Sequence, residues 1–94
     1  MLVRRRIIYS DSAFAEVVVW QVPQALPGSE HPYKYRLAFV VDGECILRID
    51  NEAGKGDHRH IRGREHKYLF RSLDRLLADF QADIRSLSHE DRDP

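Results

Sequence analysis

Cysteine is nearly absent from this chain of 94 residues, which contains a single one, Cys45. One thiol forms no internal disulfide and supplies no cysteine pair for a structural zinc site, so we expect a protein of the reducing cytoplasm. Long apolar runs are missing too, since no stretch approaches the roughly 20 residues of a membrane-spanning helix. The N-terminus has no apolar segment followed by a small-residue cleavage site, so we expect neither a membrane span nor a secretory signal.

The chain also lacks an overall charge, because 15 basic residues balance 15 acidic ones. This balance excludes a general electrostatic attraction of the whole molecule to nucleic acid. The charges are unevenly placed, however: residues 55–71 hold six Lys or Arg against two acidic residues, whereas residues 72–94 hold three Arg against six acidic residues. Such polarity favours an anionic ligand on one face, although many charge runs are simply solvated surface.

The pattern of apolar residues predicts one α+β domain over residues 1–87 and a polar tail over residues 88–94. Alternation typical of strands occurs in five segments, at residues 4–9, 13–21, 33–41, 45–50 and 65–70. The second of these is apolar on both faces, which predicts a central strand. Between the third and fourth, Asp42-Gly43 predicts a two-residue hairpin turn. We interpret residues 22–32, rich in Pro and Gly, and residues 51–63 as irregular loops.

The C-terminal region predicts a helix that packs on this sheet. Ser72 is a suitable N-cap, and Asp74 lies in the first turn, where a carboxylate meets the positive end of a helix. Apolar residues then recur at helical spacing, namely Leu73, Leu76, Leu77, Phe80, Ile84 and Leu87. We therefore predict an antiparallel sheet of four or five strands with one C-terminal helix packed on it.

The densest group of reactive side chains is the segment D-N-E-A-G-K-G-D-H-R-H at residues 50–60. Gly54 and Gly56 flank Lys55, so the backbone is able to approach a ligand closely while the lysine supplies a positive charge. His58 and His60 lie two residues apart, and an extended backbone projects both imidazoles from one face.

This composition suits metal-free cleavage of RNA, which needs a base, an acid and positive charge near the phosphate. Histidine exchanges protons near neutral pH. We predict His58 and His60 as acid and base, Lys55 as a phosphate-stabilising cation and Asp50 as an orienting residue, with no cofactor. The predicted nucleic-acid-binding residues are Lys34, Arg36, Asn51, Gly54, Gly56 and Arg59.

Three other interpretations stay open. The two histidines are exposed loop residues in the simplest one, with Asp50 and Asn51 satisfying turn backbone. A divalent metal held by Asp57, His58 and His60, with or without Asp50, is disfavoured by the adjacent cations. The third makes the basic surface a docking site for nucleic acid, with stacking from four aromatic residues: Trp20, Tyr33, Tyr35 and Tyr68.

Three stretches of the chain resemble the TumE-like family of toxins from bacterial toxin-antitoxin systems. They are V-W-Q-V-P at residues 19–23, H-P-Y-K-Y-R-L at residues 31–37, and the segment at residues 50–60, whose pattern D-N-x-x-G-K-G-D-H-x-H is the most specific. The resemblance covers roughly residues 5–87. It implies a cytoplasmic toxin encoded beside an antitoxin that looks like a winged-helix DNA-binding protein and neutralises it by direct binding. The resemblance assigns no chemical role to any residue.

Together these observations predict a toxin that is a metal-independent endoribonuclease. The alternative is a non-catalytic regulator that binds nucleic acid or a partner and acts with its antitoxin. An unpaired strand edge, or the strand that contains Trp20, would also support a homodimer.

Overall fold

The chain folds as an antiparallel meander of six strands followed by one helix. The computed structural model describes residues 2–92, and the side chains of residues 2–88. The elements are β1 (Val3–Ile8), β2 (Ala13–Gln21), β3 (Tyr33–Val41), β4 (Glu44–Glu52), β5 (Gly56–Ile61), β6 (Arg64–Lys67) and α1 (Leu73–Arg92). Each strand pairs with its neighbours in chain order, so the predicted α+β class with an antiparallel sheet is confirmed.

The sheet has six strands rather than four or five because the predicted loop over residues 51–63 is mostly strand. A turn at residues 53–55 lets β4 pair with β5, from Glu52 opposite Gly56 to Leu47 opposite Ile61. Polar residues occupy both faces of β5, so it has no apolar alternation to reveal a strand. The hairpin predicted at Asp42-Gly43 is confirmed, and both turn residues have the positive φ of a type I′ turn.

The core lies between one face of the sheet and α1. Ser72 caps the helix, since its Oγ accepts a hydrogen bond from the amide of Arg75 at 3.0 Å. The helix contributes four buried residues, Leu76, Phe80, Ile84 and Leu87, and the sheet covers them chiefly with Ala15, Val17, Val19, Tyr35, Leu37, Phe39, Leu47 and Ile49. The predicted apolar stripe of α1 is therefore the core side of the helix.

The other sheet face, which we call the open face, has no packed element over it within the described residues. The prediction that β2 is central and buried on both faces is wrong: β2 lies beside the edge strand β1, and its open-face side chains are only half-buried. These are Phe14, Glu16, Val18 and Trp20. The reason is that a single helix covers only one side of the sheet.

The described part of α1 extends to Arg92, so residues 88–92 of the predicted polar tail are helical, and residues 93–94 lie outside the described residues. No helix in residues 2–92 is long and apolar enough to cross a membrane.

The turn between β4 and β5 is held against the loop at residues 22–32, and glycine is needed there. Gly54 and Gly56 both have positive φ, but only at Gly56 would an added Cβ meet another group, the carbonyl oxygen of Gly28 at 2.7 Å. We expect Gly54→Ala to lower the free energy of unfolding by about 1 kcal/mol, from backbone strain alone. Gly56→Ala should lower the free energy of unfolding by on the order of 3 kcal/mol, because the backbone at Gly28 must also move away from the added Cβ. Urea denaturation of both variants measures this, and equal losses would contradict the close approach.

Candidate functional site

The strand register gathers most of the predicted site residues on the open face. One row of directly paired residues crosses all six strands, and in order from β1 to β6 it contains Arg4, Val18, Arg36, Asp50, His58 and Lys67. The adjacent row places Arg48 opposite His60 and His60 opposite Glu65. Arg36, Asp50 and His58, which are far apart in sequence, are thus direct neighbours across three strands.

His58 and His60 line a small cavity of about 80 Å³ on this face, which we call the histidine cluster. The cavity is lined by Arg48, Asp50, Glu52, Lys55, His58, His60 and Glu65. Nε2 of His58 lies 2.5 Å from the carbonyl oxygen of Lys55. Oε1 of Glu65 lies 3.2 Å from Nδ1 of His58 and 3.9 Å from Nε2 of His60. The two side chains are 22% and 28% exposed, although Nδ1 of His58 is itself buried.

Asp50 is mostly buried and is associated with Arg48 rather than with a histidine. Its Oδ2 lies 3.2 Å from Nε of Arg48, although the two atoms are not aligned for a hydrogen bond. Lys55 is well exposed, and its Nζ lies 3.7 Å from a carboxylate oxygen of Glu52. Arg48 and Glu65 are therefore members of the site that sequence reasoning missed. The one available signal for Arg48 is its place two residues before Asp50, on the same strand face.

A buried polar group lies on the opposite, helix-covered face, and we call it the Asp57 cluster. The carboxylate of Asp57 accepts hydrogen bonds from Oγ of Ser29 at 2.6 Å and from the hydroxyl of Tyr35 at 2.7 Å. Nε2 of His31 lies 2.7 Å from Oδ2 of Asp57, the same oxygen that accepts the hydroxyl of Tyr35. Nδ1 of His31 accepts the amide of Tyr33, so Nε2 carries the proton that is donated to Asp57.

Asn51 extends the Asp57 cluster and is 1% exposed. Its Oδ1 accepts the amide of Tyr35 at 3.0 Å, and its Nδ2 donates to the carbonyl of Tyr33 at 2.7 Å. Arg59 also lies on the helix side, where its guanidinium is 3.2 Å from the carboxylate of Asp83. The structure therefore does not bring Asn51 or Arg59 to the histidine cluster.

The two glycines predicted to bind nucleic acid face the loop at residues 22–32. The amide of Gly54 donates to the carbonyl of Pro27 at 2.6 Å, and Gly56 packs against Gly28. Lys34 and Arg36, in contrast, are exposed on the open face of β3. Of the ten residues predicted for the site, the four catalytic candidates and these two cations lie on or beside this face.

The metal interpretation does not fit this geometry. Asp57 lies on the sheet face that α1 covers, while His58 and His60 lie on the other face, so the three cannot bind one ion. Within the described residues, no group of three or more His, Cys, Asp or Glu side chains is arranged to hold a metal ion.

The resolved pKa shifts belong to the helix-covered side. Burial, followed by the hydrogen bond to Asp57, raises the pKa of the Tyr35 hydroxyl far above its ordinary value. Burial and a hydrogen bond to Asp79 raise the pKa of Tyr68 in the same way. Burial also raises the pKa of Asp83, against the opposing effect of Arg59. None of these three groups lines the histidine cluster.

A family model described as Toxin TumE matches residues 2–88. The chain belongs to this toxin family. Comparisons with curated proteins and with solved structures gave no match. In this TumE-family toxin, the segment at residues 50–60 thus divides between two faces: Asn51 and Asp57 build the helix-side cluster, and Asp50, His58 and His60 line the open-face cavity.

Removal of the Tyr35 hydroxyl tests the Asp57 cluster. Tyr35→Phe should lower the free energy of unfolding by roughly 1.5–3 kcal/mol near neutral pH, because a carboxylate loses a buried donor. Tyr9→Phe is the matched control, since that side chain is exposed and its hydroxyl has no described partner. Urea denaturation of both variants measures the difference, and an equal effect would contradict the assignment.

Ionisation of the Tyr35 hydroxyl should destabilise the folded protein at alkaline pH. The pKa of Tyr35 is raised in the folded protein, so its stabilisation is complete below the unfolded pKa, near 10, and is lost as pH rises above that value. Above pH 10, the free energy of unfolding should therefore fall more steeply with pH in the wild type than in Tyr35→Phe, by up to about 1.4 kcal/mol per pH unit. Denaturation curves at several alkaline pH values measure this slope, and parallel curves would contradict the shift.

Proposed function

We propose that this TumE-family toxin is a metal-independent endoribonuclease whose active site is the histidine cluster. The observation that carries the proposal is the position of His58 and His60 side by side on an accessible sheet face, next to the cations Arg36, Arg48 and Lys55. Two imidazoles with adjacent positive charge are sufficient for acid-base cleavage of a phosphodiester.

The reaction is a transesterification within the RNA strand. His60 removes the proton of a ribose 2′-hydroxyl, whose oxygen attacks the adjacent phosphorus. The bond from phosphorus to the 5′-oxygen breaks, and His58 supplies the proton to that oxygen. The products are a 2′,3′-cyclic phosphate and a 5′-hydroxyl, so neither water nor an oxidant is consumed.

The surroundings of His58 support its role as the acid. One nitrogen faces the carbonyl oxygen of Lys55, and the other lies near a carboxylate oxygen of Glu65. A carbonyl oxygen only accepts, so Nε2 of His58 carries a proton, and a protonated ring nitrogen is what a general acid supplies. Nδ1 and Glu65 are close but are not aligned for a hydrogen bond. Nε2 of His60 lies 3.9 Å from Glu65, beyond hydrogen-bond distance, so Glu65 does not occupy the nitrogen that would receive the proton of the ribose hydroxyl.

The cations would stabilise the charge that develops on the phosphate. Arg36 lies directly across from Asp50, and Lys55 belongs to the turn that precedes β5. Asp50 acts through Arg48, whose guanidinium it holds beside the cavity, whereas Glu65 orients the two imidazoles. Preorganised positive charge near the phosphate stabilises the negative charge of the transition state and so increases the rate of cleavage.

The first experiment is cleavage of labelled RNA by purified protein freed from any antitoxin, with excess chelator present. We expect His58→Ala and His60→Ala each to lower the cleavage rate by about 10²- to 10⁴-fold, the usual contribution of one acid or base. His66→Ala is the matched control: this exposed histidine of β6 pairs with Arg59 and so lies on the helix side. It should cleave as wild type does.

Thermal unfolding monitored by circular dichroism establishes that each variant is folded. If folded His58→Ala and His60→Ala proteins cut RNA at the wild-type rate, the assignment of acid and base is wrong. Complete loss of wild-type cleavage in chelator would contradict the metal-independent route.

A second candidate function is non-catalytic binding of nucleic acid, in which the toxin acts with its antitoxin as a regulator. The observation that favours it is that Arg4, Lys34 and Arg36 have no acidic partner among the described residues and share the open face. RNA binding without cleavage by the wild-type protein would select this candidate.

The proposal includes a cytoplasmic location and a cognate antitoxin, a winged-helix DNA-binding protein that neutralises the toxin by direct contact. It also includes a homodimer through a sheet edge. The Trp20 strand offers no such edge, because β2 is paired with β1 and β3. The edge strand β1 carries the exposed Ile8 and is preceded by the exposed Leu2, which favours it as the contact.

Molar mass measured by light scattering tests both the homodimer and the complex with the antitoxin. Toxin alone should have twice the mass of one chain, and co-expression with the antitoxin encoded beside it should yield one stable complex. A monomeric toxin would contradict the homodimer, and failure to co-purify would contradict direct neutralisation.

A further inference from the structure

Trp20 is a large aromatic side chain on the uncovered side of the sheet. It is half-buried, and among the described residues no ring stacks on its indole and no group accepts a hydrogen bond from it. It lines a concave region of about 450 Å³ together with Arg4, Arg5, Arg6, Glu16 and Val18. Packing of the core does not account for this side chain, because the core lies on the other side of β2.

Three cations that form no ion pair with any described residue lie near this indole on the open face. Lys34 is its direct cross-strand neighbour on β3, while Arg4 and Arg36 pair with Val18, two residues along the same face. None of the three has an acidic partner among the described residues. The nearby Arg6 differs, since it forms an ion pair with Glu16 and lies over the ring of Phe14. The cations next to Trp20 are therefore available to an anion.

Trp20 and the histidine cluster lie on the same face at a distance that suits one extended strand of nucleic acid. Neighbouring strands are about 4.8 Å apart, so β2 and β5 are separated by roughly 14 Å. Arg36 and Asp50 occupy the two strands between them. A ligand that follows this row would contact these cations first and the imidazoles next.

We propose that Trp20 stacks on a base of single-stranded RNA and that Arg4, Lys34 and Arg36 bind the phosphates beside that base. The inference rests on the proposed function, and it adds the strandedness of the substrate and a binding subsite separate from the histidines. Open sheet faces with aromatic residues bind RNA in this way, because an unpaired base exposes its ring face. Duplex RNA keeps its bases stacked on one another and offers Trp20 no such ring.

The sole tryptophan of the chain makes the test direct. The probe is a single-stranded 2′-O-methyl oligoadenylate, which lacks the attacking hydroxyl and is not cut, so binding is measured without catalysis. We expect it to quench the fluorescence of Trp20 in the wild-type protein. By anisotropy of a labelled probe, Trp20→Ala should bind about tenfold more weakly, and Trp20→Phe, which retains a stacking ring, should bind more tightly than Trp20→Ala.

The cations are tested by the dependence of binding on salt. Lys34→Ala should reduce the slope of log K against log salt concentration by about 0.7, the value for one phosphate contact on a single strand. Arg85→Ala is the matched control, because this exposed arginine lies on α1, across the sheet from the open face. It should leave the slope unchanged.

Unchanged fluorescence at saturating probe, wild-type affinity in a folded Trp20→Ala protein, or equal affinity for duplex RNA would each overturn the inference. Failure of the proposed function gives a different result: probe binding through Trp20 with no cleavage of ordinary RNA. That outcome supports the subsite and removes only the catalytic roles of the histidines. RNA cleavage that is independent of Trp20 and Lys34 would overturn the subsite and leave the catalytic roles standing.

Discussion

The arrangement of the site depends on the hydrogen bonds that the buried carboxylate of Asp57 accepts. This carboxylate receives hydrogen bonds from Ser29, His31 and Tyr35, and so joins the loop at residues 22–32 to the sheet. A buried carboxylate is tolerated only with such donors, because its desolvation is otherwise very costly. Strand residues alternate between faces, so holding Asp57 toward α1 places His58 and His60 on the open face. A shift of one residue in β5 would reverse both assignments.

The segment at residues 50–60 therefore contains two sets of residues, which alternate along the strands and have different roles. One set, which includes Asn51, Gly56 and Asp57, holds β4, β5 and the preceding loop together. The other set, Asp50, His58 and His60, lies on the open face and lines the cavity there. Dense motifs invite a single functional interpretation, but the alternation of two adjacent strands requires that about half of the residues face the core.

The single helix explains why one sheet supports both a core and a ligand surface. Because α1 covers only one side, the other side keeps polar and aromatic residues that a second layer would have buried. In the proposals above, phosphate chemistry takes place across β4 to β6 and base stacking takes place at β2, with Arg36 between them. Both activities then share one continuous face, and an antitoxin that covers this face would block them together.

The sequence by itself determined the class of fold, the Asp42-Gly43 turn, the capped C-terminal helix and the family, because each of these depends on local periodicity or on a contiguous pattern. The spacing of His58 and His60 gives both imidazoles one face of an extended segment, but the sequence indicates a loop there. It did not reveal β5, whose polar residues on both faces hide its alternation, or the separation of Asp57 and Arg59 from the histidines. Only the tertiary structure decided which face α1 covers and which residues meet across the strands. These contacts, such as that of Glu65 with His58, join positions whose pairing depends on register, and local sequence does not encode register.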